Sequence, residues 1–334
     1  MTNPILATVP LGMQWPTLDP FLFCAHHNDR YPRGDGNSAP ATGTKGRPLG
    51  SDFSGKDGWS MYHGQRVPGF PAHPHRGFET ITIARKGLID HADSMGAHAR
   101  FGQGDVQWMT AGEGVVHSEM FPLVNEDKEN HTELFQIWLN LPASSRRADA
   151  YFTMFWADQV PSIDEDGARV SVVAGALNES RGLTPPPSSW ASNAAADVMV
   201  LTIRLQPGAK FTLPAGGADV NRMLYFFDGD TIRVAETEVS AGVGIQLRPD
   251  VDVALANSGT AVVELLLLSA KPIGEPVVHH GPFVMSTSGE IRETLSDYQR
   301  TGFGGWPWPS NDPVHGDSGR FAVHADGRRD EPAA

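Results

Sequence analysis

The chain has 334 residues, of which 40% are hydrophobic and 19% charged, with a formal net charge of -13. That length exceeds the size at which one core stops growing, so two domains are expected. The acidic balance, 26 Lys+Arg against 39 Asp+Glu, leaves out the basic surface that binding a nucleic-acid backbone needs.

One cysteine, Cys24, is present, so neither an intrachain disulfide nor a thiolate metal cluster can form, which suits a cytoplasmic chain. The amino terminus, Met1 to Pro10, has neither the basic start nor the continuous apolar core of a secretory signal. The longest greasy run, Val262 to Leu268, is interrupted by Glu264 and is too short to cross a bilayer, so no membrane partner is expected. Gly 36 and Pro 26 favour many short strands joined by turns, an all-β fold.

Residues 1 to 32 carry apolar clusters broken by proline, Leu11 to Pro16 and Leu18 to Phe23, followed by His26 and His27, which lack partners at ligand spacing. Residues 33 to 62 are rich in Gly, Ser, Pro and Lys without apolar periodicity and read as a surface loop. Standing just before a histidine motif, the loop also suits a lid whose Trp59, or the adjoining His63, meets a substrate.

The motif itself is His73-Pro74-His75-Arg76-Gly77-Phe78-Glu79-Thr80, and a second follows at Gly104 to Glu119, closing on His117-Ser118-Glu119. Each holds a pair of ligand-type residues two positions apart, and on a strand residues i and i+2 share a face. Neighbouring strands bearing these pairs can aim three imidazoles and one carboxylate at one point, a sensible site for a divalent metal with open positions. Glu79 shares parity with His73 and His75 and is placed near the metal, orienting a ligand or water.

Between the motifs, Thr80 to Ile83 reads as a strand, and Asp90, His91 and Asp93 have no matching set downstream that would make a second metal site. Past Glu119, Asn125 to Asn130 is a solvated charge run and Leu134 to Pro142 a strand covered on both sides. Residues 143 to 190 read as a connector, with the aromatic run Tyr151 to Trp156 taken as packing. Strand-like runs with turns then span Val198 to Ala270 and resemble the first set in spacing, which suggests a duplicated fold. No histidine or cysteine occurs from residue 198 to residue 270, so metal chemistry is assigned to the first domain alone. Near the end, Thr287 stands three residues before Glu290 as in a capping box, with Ile291, Leu295 and Tyr298 on one face, predicting a helix over about 288–300. Gly302 to Ala334 reads as a loosely attached end.

The run His73 to Thr80, Gly104 to Gly112 and His117-Ser118-Glu119 closely resembles the pirins of the cupin superfamily; so do Asp19-Pro20-Phe21-Leu22 and His280 to Met285. The resemblance implies two tandem cupin-type β-barrels (double-stranded β-helix or jelly roll) and a short C-terminal helix. It places an N-terminal metal-binding barrel at 1–142 with an insertion at 33–62, longer than the comparable pirin segment, and a connector at 143–190. A C-terminal barrel without metal ligands follows at 191–275, then a tail at 276–334 whose helix packs back on the N-terminal domain.

It further implies one transition metal, iron as Fe(II) first and Mn, Ni, Co or Zn otherwise, on His73, His75, His117 and Glu119. Glu119, not the Glu79 of the general cupin pattern, is the carboxylate ligand, and it is also a candidate base. The implied activity is a quercetin 2,3-dioxygenase reaction on a flavonol with O2. The alternative implied by the resemblance is a non-catalytic, iron- or redox-sensing regulator that binds another protein.

Overall fold

A computed structural model describes residues 3–316 and 318–333; Met1, Thr2, Asp317 and Ala334, which fall within the amino-terminal and tail expectations, lie outside the described residues. Short β-branched and aromatic runs punctuated by Gly and Pro become strands along nearly the whole chain. The first ten are β1 (Ile5–Pro10), β2 (Phe21–Tyr31), β3 (Gly69–His75), β4 (Phe78–Lys86), β5 (Leu88–Asp93), β6 (His98–Gly102), β7 (Asp105–Thr110), β8 (Val115–Met120), β9 (Asn130–Asn140) and β10 (Tyr151–Phe155). Then come β11 (Ser162–Glu165), β12 (Ala168–Ala174), the short hairpin β13 (Ala176–Leu177) and β14 (Ser180–Arg181), β15 (Met199–Leu205), β16 (Lys210–Leu213), β17 (Asn221–Asp228) and β18 (Thr231–Val234). After β19 (Thr237–Ser240), β20 (Val243–Leu247), β21 (Val253–Asn257) and β22 (Val263–Ala270), the chain ends with β23 (Val278–His280), β24 (Phe283–Met285), helix α1 (Ser288–Thr301), β25 (Phe321–Val323) and β26 (Arg329–Asp330).

Packing divides the chain into two units that do not follow sequence order. One holds Met1–Ala25, Ile137–Asn140 and Gln159–Gly274; the other holds His26–Gln136, Leu141–Asp158 and Glu275–Ala334. The first is a seven-stranded sheet, β1-β20-β17-β22-β15-β12-β11, closed against a four-stranded one, β16-β21-β18-β19. Its core is aliphatic, with Val172, Leu201, Leu224, Ile245, Leu255 and Leu267 fully or almost fully buried. The strand β1 pairs antiparallel with β20 here, Thr8 opposite Ile245, and β12 from the stretch read as a connector pairs with β15. Both cover backbone that would otherwise stand as an unpaired sheet edge.

The second unit carries both histidine motifs. Its six-stranded sheet runs β26-β25-β6-β5-β8-β3 and its five-stranded sheet β10-β7-β4-β9-β2, with Tyr31, Ile89, Phe101, Leu134 and Phe152 in the core between them. Helix α1 belongs to this unit. Thr287 accepts the Glu290 N–H at 3.2 Å while the Glu290 carboxylate accepts from Ser286 N–H at 3.0 Å, a capping box closed at its far end by Gly302 at φ 56°. Its inner face, Ile291 with Leu295 and Tyr298, packs on Phe283 and Met285. Among the described residues no helix is long and apolar enough to cross a membrane.

The expected loose end is instead built in. β25 pairs with β6, Ala322 opposite Ala99, and Phe321 and Ala322 are buried. Upstream of it, Trp308 donates to the Asp93 carbonyl at 2.8 Å, the Ala72 N–H donates to Asn311 at 2.7 Å, and Arg100 donates to the carbonyls of Gly316 and Ser318. Low apolar content hid this, because the attachment is made mostly by backbone groups satisfying the free edge of β6. Burial of Phe321 alone stabilises by roughly 2 kcal/mol. Deleting residues 306–334 is therefore expected to lower the thermal midpoint by about 5 °C or more; an unchanged melting curve would show that the tail contributes nothing.

Candidate metal centre

Gly77 and the pairing of β3 with β8 set the geometry. In that pairing His73 lies directly opposite His117 and Phe70 opposite Glu119, with one extra residue bulged on β3 between Phe70 and His73. The imidazoles of His73, His75 and His117 converge: ring centroids are 4.8 Å apart for His73–His75, 4.4 Å for His73–His117 and 4.9 Å for His75–His117. One nitrogen from each lies within 4.8 Å of the others, a set able to hold a metal ion and the one such group among the described residues.

The rings are turned for this. His73 Nδ1 lies 2.9 Å from the Pro71 carbonyl and His75 Nδ1 3.4 Å from that of Pro282, contacts that point each Nε2 away from the backbone, as in metal sites whose ligands are braced by an outer hydrogen bond. His117 is fully buried and neither of its nitrogens has a partner among the described residues. Buried polar atoms are normally satisfied, so His117 fits a group that supplies the missing contact. Burial lowers His73 to about 4 and holds His75 and His117 well below the ordinary histidine value, keeping the rings in the neutral form a metal requires.

Glu119 shares the face of His117 but stands outside the close three-nitrogen group. Its Oε1 accepts from the Thr82 hydroxyl at 3.0 Å and its Oε2 from the Gln136 amide at 2.7 Å, so residues of the opposite sheet hold both oxygens. Burial raises its pKa, an effect opposed by nearby His91 and by those two hydrogen bonds.

Glu79, expected beside the metal on strand parity, accepts from the Thr110 hydroxyl at 2.6 Å. Parity does not carry across Gly77, which turns the chain at φ 89° and where a Cβ would meet the Val284 carbonyl at 1.8 Å. The ring that meets His75 belongs to Phe78, 5.1 Å away.

His91, Gln136, Thr82 and Phe70 are site neighbours that spacing in the sequence did not single out. His91 is opposite Glu119 on β5, stacks on Phe152 and has its Nδ1 buried without a partner. Asp90 is engaged by Arg100, and Asp93 by the backbone of Met95 and Ala97 together with His91, so no second metal set forms there. Hydrophobic parity on β5 and β9 was the available signal, but it becomes usable only once the partners of each strand are known. In the 33–62 segment, Trp59 is buried beneath Arg47, whose guanidinium lies 3.4 Å above its ring, whereas His63 is at the surface against Phe70.

Two double-sheet barrels in one chain, one enclosing a three-imidazole set and the other an aliphatic core, define a bicupin with one metal-type centre among the described residues. The Pirin family model matches residues 8–139, and the pirin C-terminal cupin domain matches residues 200–304. The chain belongs to the pirin family. A pirin-like protein of Caulobacter vibrioides is 37% identical over 236 residues, covering 70% of this chain and 80% of that protein. Pirin-1 of Arabidopsis thaliana is 35% identical over 234 residues, covering 69% and 77%. Among solved structures, quercetin 2,3-dioxygenase from Acinetobacter baumannii superposes with a TM-score of 0.70 at 25% identity, over 91% of this chain and 99% of that one.

The unsatisfied His117 ring makes a prediction of opposite sign in two states. Leaving a buried polar group unpaired costs about 1–3 kcal/mol, so His117→Leu is expected to leave the metal-free protein as stable or more stable. The same change should abolish the rise in melting temperature on adding a divalent metal. A metal-free variant that melts well below the metal-free parent would show that His117 is held by protein contacts instead.

Proposed function

We propose that the chain is a dioxygenase that opens quercetin or a related flavonol with O2, using one divalent ion, Fe(II), on His73, His75, His117 and Glu119. The observation that carries this is the convergence of three neutral imidazoles, His75 and His117 buried and His73 half-buried, with the His117 nitrogens unpartnered among the described residues. Likeness to the Acinetobacter baumannii quercetin 2,3-dioxygenase over nearly all of that chain supports the substrate class.

A divalent ion held by His73, His75, His117 and Glu119 would supply a Lewis acid to the 3-hydroxyl and 4-carbonyl oxygens of a flavonol and would ease loss of the hydroxyl proton. The chain provides the rest. Three neutral rings leave the charge of the centre to be balanced by Glu119 and the ionised substrate. Glu119 can take the 3-hydroxyl proton on Oε1. Thr82 and Gln136, hydrogen-bonded to its two oxygens, fix where that proton is received.

Iron-loaded protein incubated with quercetin in air should bleach the flavonol absorbance, and Glu119→Ala should slow it by roughly 100-fold or more. Bleaching no faster than in that variant would overturn the reading in favour of a regulatory protein that binds another protein through its metal-bearing unit.

The position of Gln136 predicts a coupling. Gln136→Leu is expected to weaken metal binding about 10- to 100-fold, read by cobalt absorption titration, and to have no such effect when Glu119 is already alanine. Equal effects in both backgrounds would show that Gln136 does not act through the carboxylate.

A further inference from the structure

The bulge in β3 places a residue in the site that simple alternation would exclude. Phe70 is three positions from His73, yet it sits opposite Glu119 while His73 sits opposite His117, so Phe70 faces the ligand side. Its ring centroid is 6.3 Å from that of His73.

One face of Phe70 is covered by Tyr62, stacked at 5.1 Å and 27°. Phe53 and His63 stand at 6.5 Å and 5.7 Å from the same ring, and Phe53 is 36% exposed. Three of these four aromatic groups come from residues 53–63, at the end of the glycine-rich segment and just after it.

Buried hydrogen bonds tie that segment down. Arg47 is buried and donates to Asp52 and to the Trp59 carbonyl, each at 2.9 Å. Asp29 accepts the Ser60 N–H at 2.8 Å and the Tyr62 hydroxyl at 2.7 Å, and His27 Nδ1 lies 2.8 Å from that hydroxyl. Tyr62 is thereby held against Phe70, and the aromatic group is preorganised beside His73.

We infer that Phe70, backed by Tyr62 and flanked by Phe53 and His63, is the stacking wall that selects a planar aromatic substrate at the metal centre. The inference rests on the flavonol reading above and adds to it which residues recognise the ring. A conjugated ketone ring stacks on an offset aromatic face, and Phe70, packed by Tyr62, Phe121 and His27 and standing beside His73, offers such a group next to the centre. Chelation by the metal then orients the substrate's oxygens, while the wall distinguishes an aromatic chelator from an aliphatic one. Continuity with His73 commits the surface to the substrate of that centre.

The test compares two chelators on the iron-loaded full chain without oxygen: quercetin, and acetohydroxamate, which is bidentate but has no aromatic ring. Phe70→Leu keeps an apolar side chain and should weaken quercetin binding roughly 3- to 10-fold while leaving acetohydroxamate binding and iron content unchanged. Phe53→Ala, at the exposed rim, should weaken quercetin binding roughly 2-fold with no change in melting temperature. An unchanged quercetin Kd in both variants, parallel weakening of both chelators, or a parent protein with no preference for quercetin overturns the wall. Admitting air separates the two ideas. Quercetin bound tightly and selectively but never consumed sinks the dioxygenase reading and leaves the wall standing. Quercetin consumed, with its Kd indifferent to Phe70 and Phe53, sinks the wall alone.

Discussion

Pairing of β3 with β8 sets His73 opposite His117, and because strand side chains alternate, a slip of one residue would turn one ligand pair to the outer face of the sheet. The register is defended on both sides. The paired strands bury Val115, His117, Glu119 and Met120, and the single bulge absorbs the odd spacing that brings Phe70 onto the ligand face. Packing of the opposite sheet then delivers Thr82 and Gln136 to Glu119. Geometry at the centre is thus a consequence of ladder hydrogen bonds first and side-chain choice second.

Burial makes this arrangement chemically useful and energetically costly at once. Imidazoles shielded from water stay neutral, which is the form that ligates, but His117 leaves two polar atoms without a partner among the described residues. Such a residue stabilises nothing by itself, so its place in the core is explained by what it binds. The other unit shows the contrast on the same architecture. Its interior is filled by valine, leucine and isoleucine, it contains no histidine, and its buried Cys24 thiol is held protonated by desolvation.

Residues far along the chain hold the first motif in place. Arg76, next to His75, reaches Asp297 at 3.0 Å, donates to the Glu113 carbonyl and lies against Phe303, all within one unit. Gly77 admits the Val284 backbone so closely that no side chain would fit. Helix α1, the β24 strand and the tail are in this sense part of the centre's frame, which accounts for a carboxyl-terminal segment that pairs with β6 instead of ending free.

Much of this was legible in the residues themselves. Ligand-type pairs at i and i+2, His73 with His75 and His117 with Glu119, pointed to the three histidines that converge, the absence of histidine from 198 to 270 marked the other barrel as free of imidazole ligands, and Thr287 with Glu290 marked the start of α1. These are local signals, set by alternation along a strand or by one helical turn. Parity could not place Glu79, whose carboxylate accepts from Thr110, because the strand turns at Gly77 between it and His75. The roles of His91, Gln136 and Phe70, the attachment of the tail, and the pairing of β1 with β20 were decided only by tertiary structure. Each depends on which strand lies beside which, and long-range β-pairing is chosen by the collective burial of two sheets, a property no single segment of sequence contains.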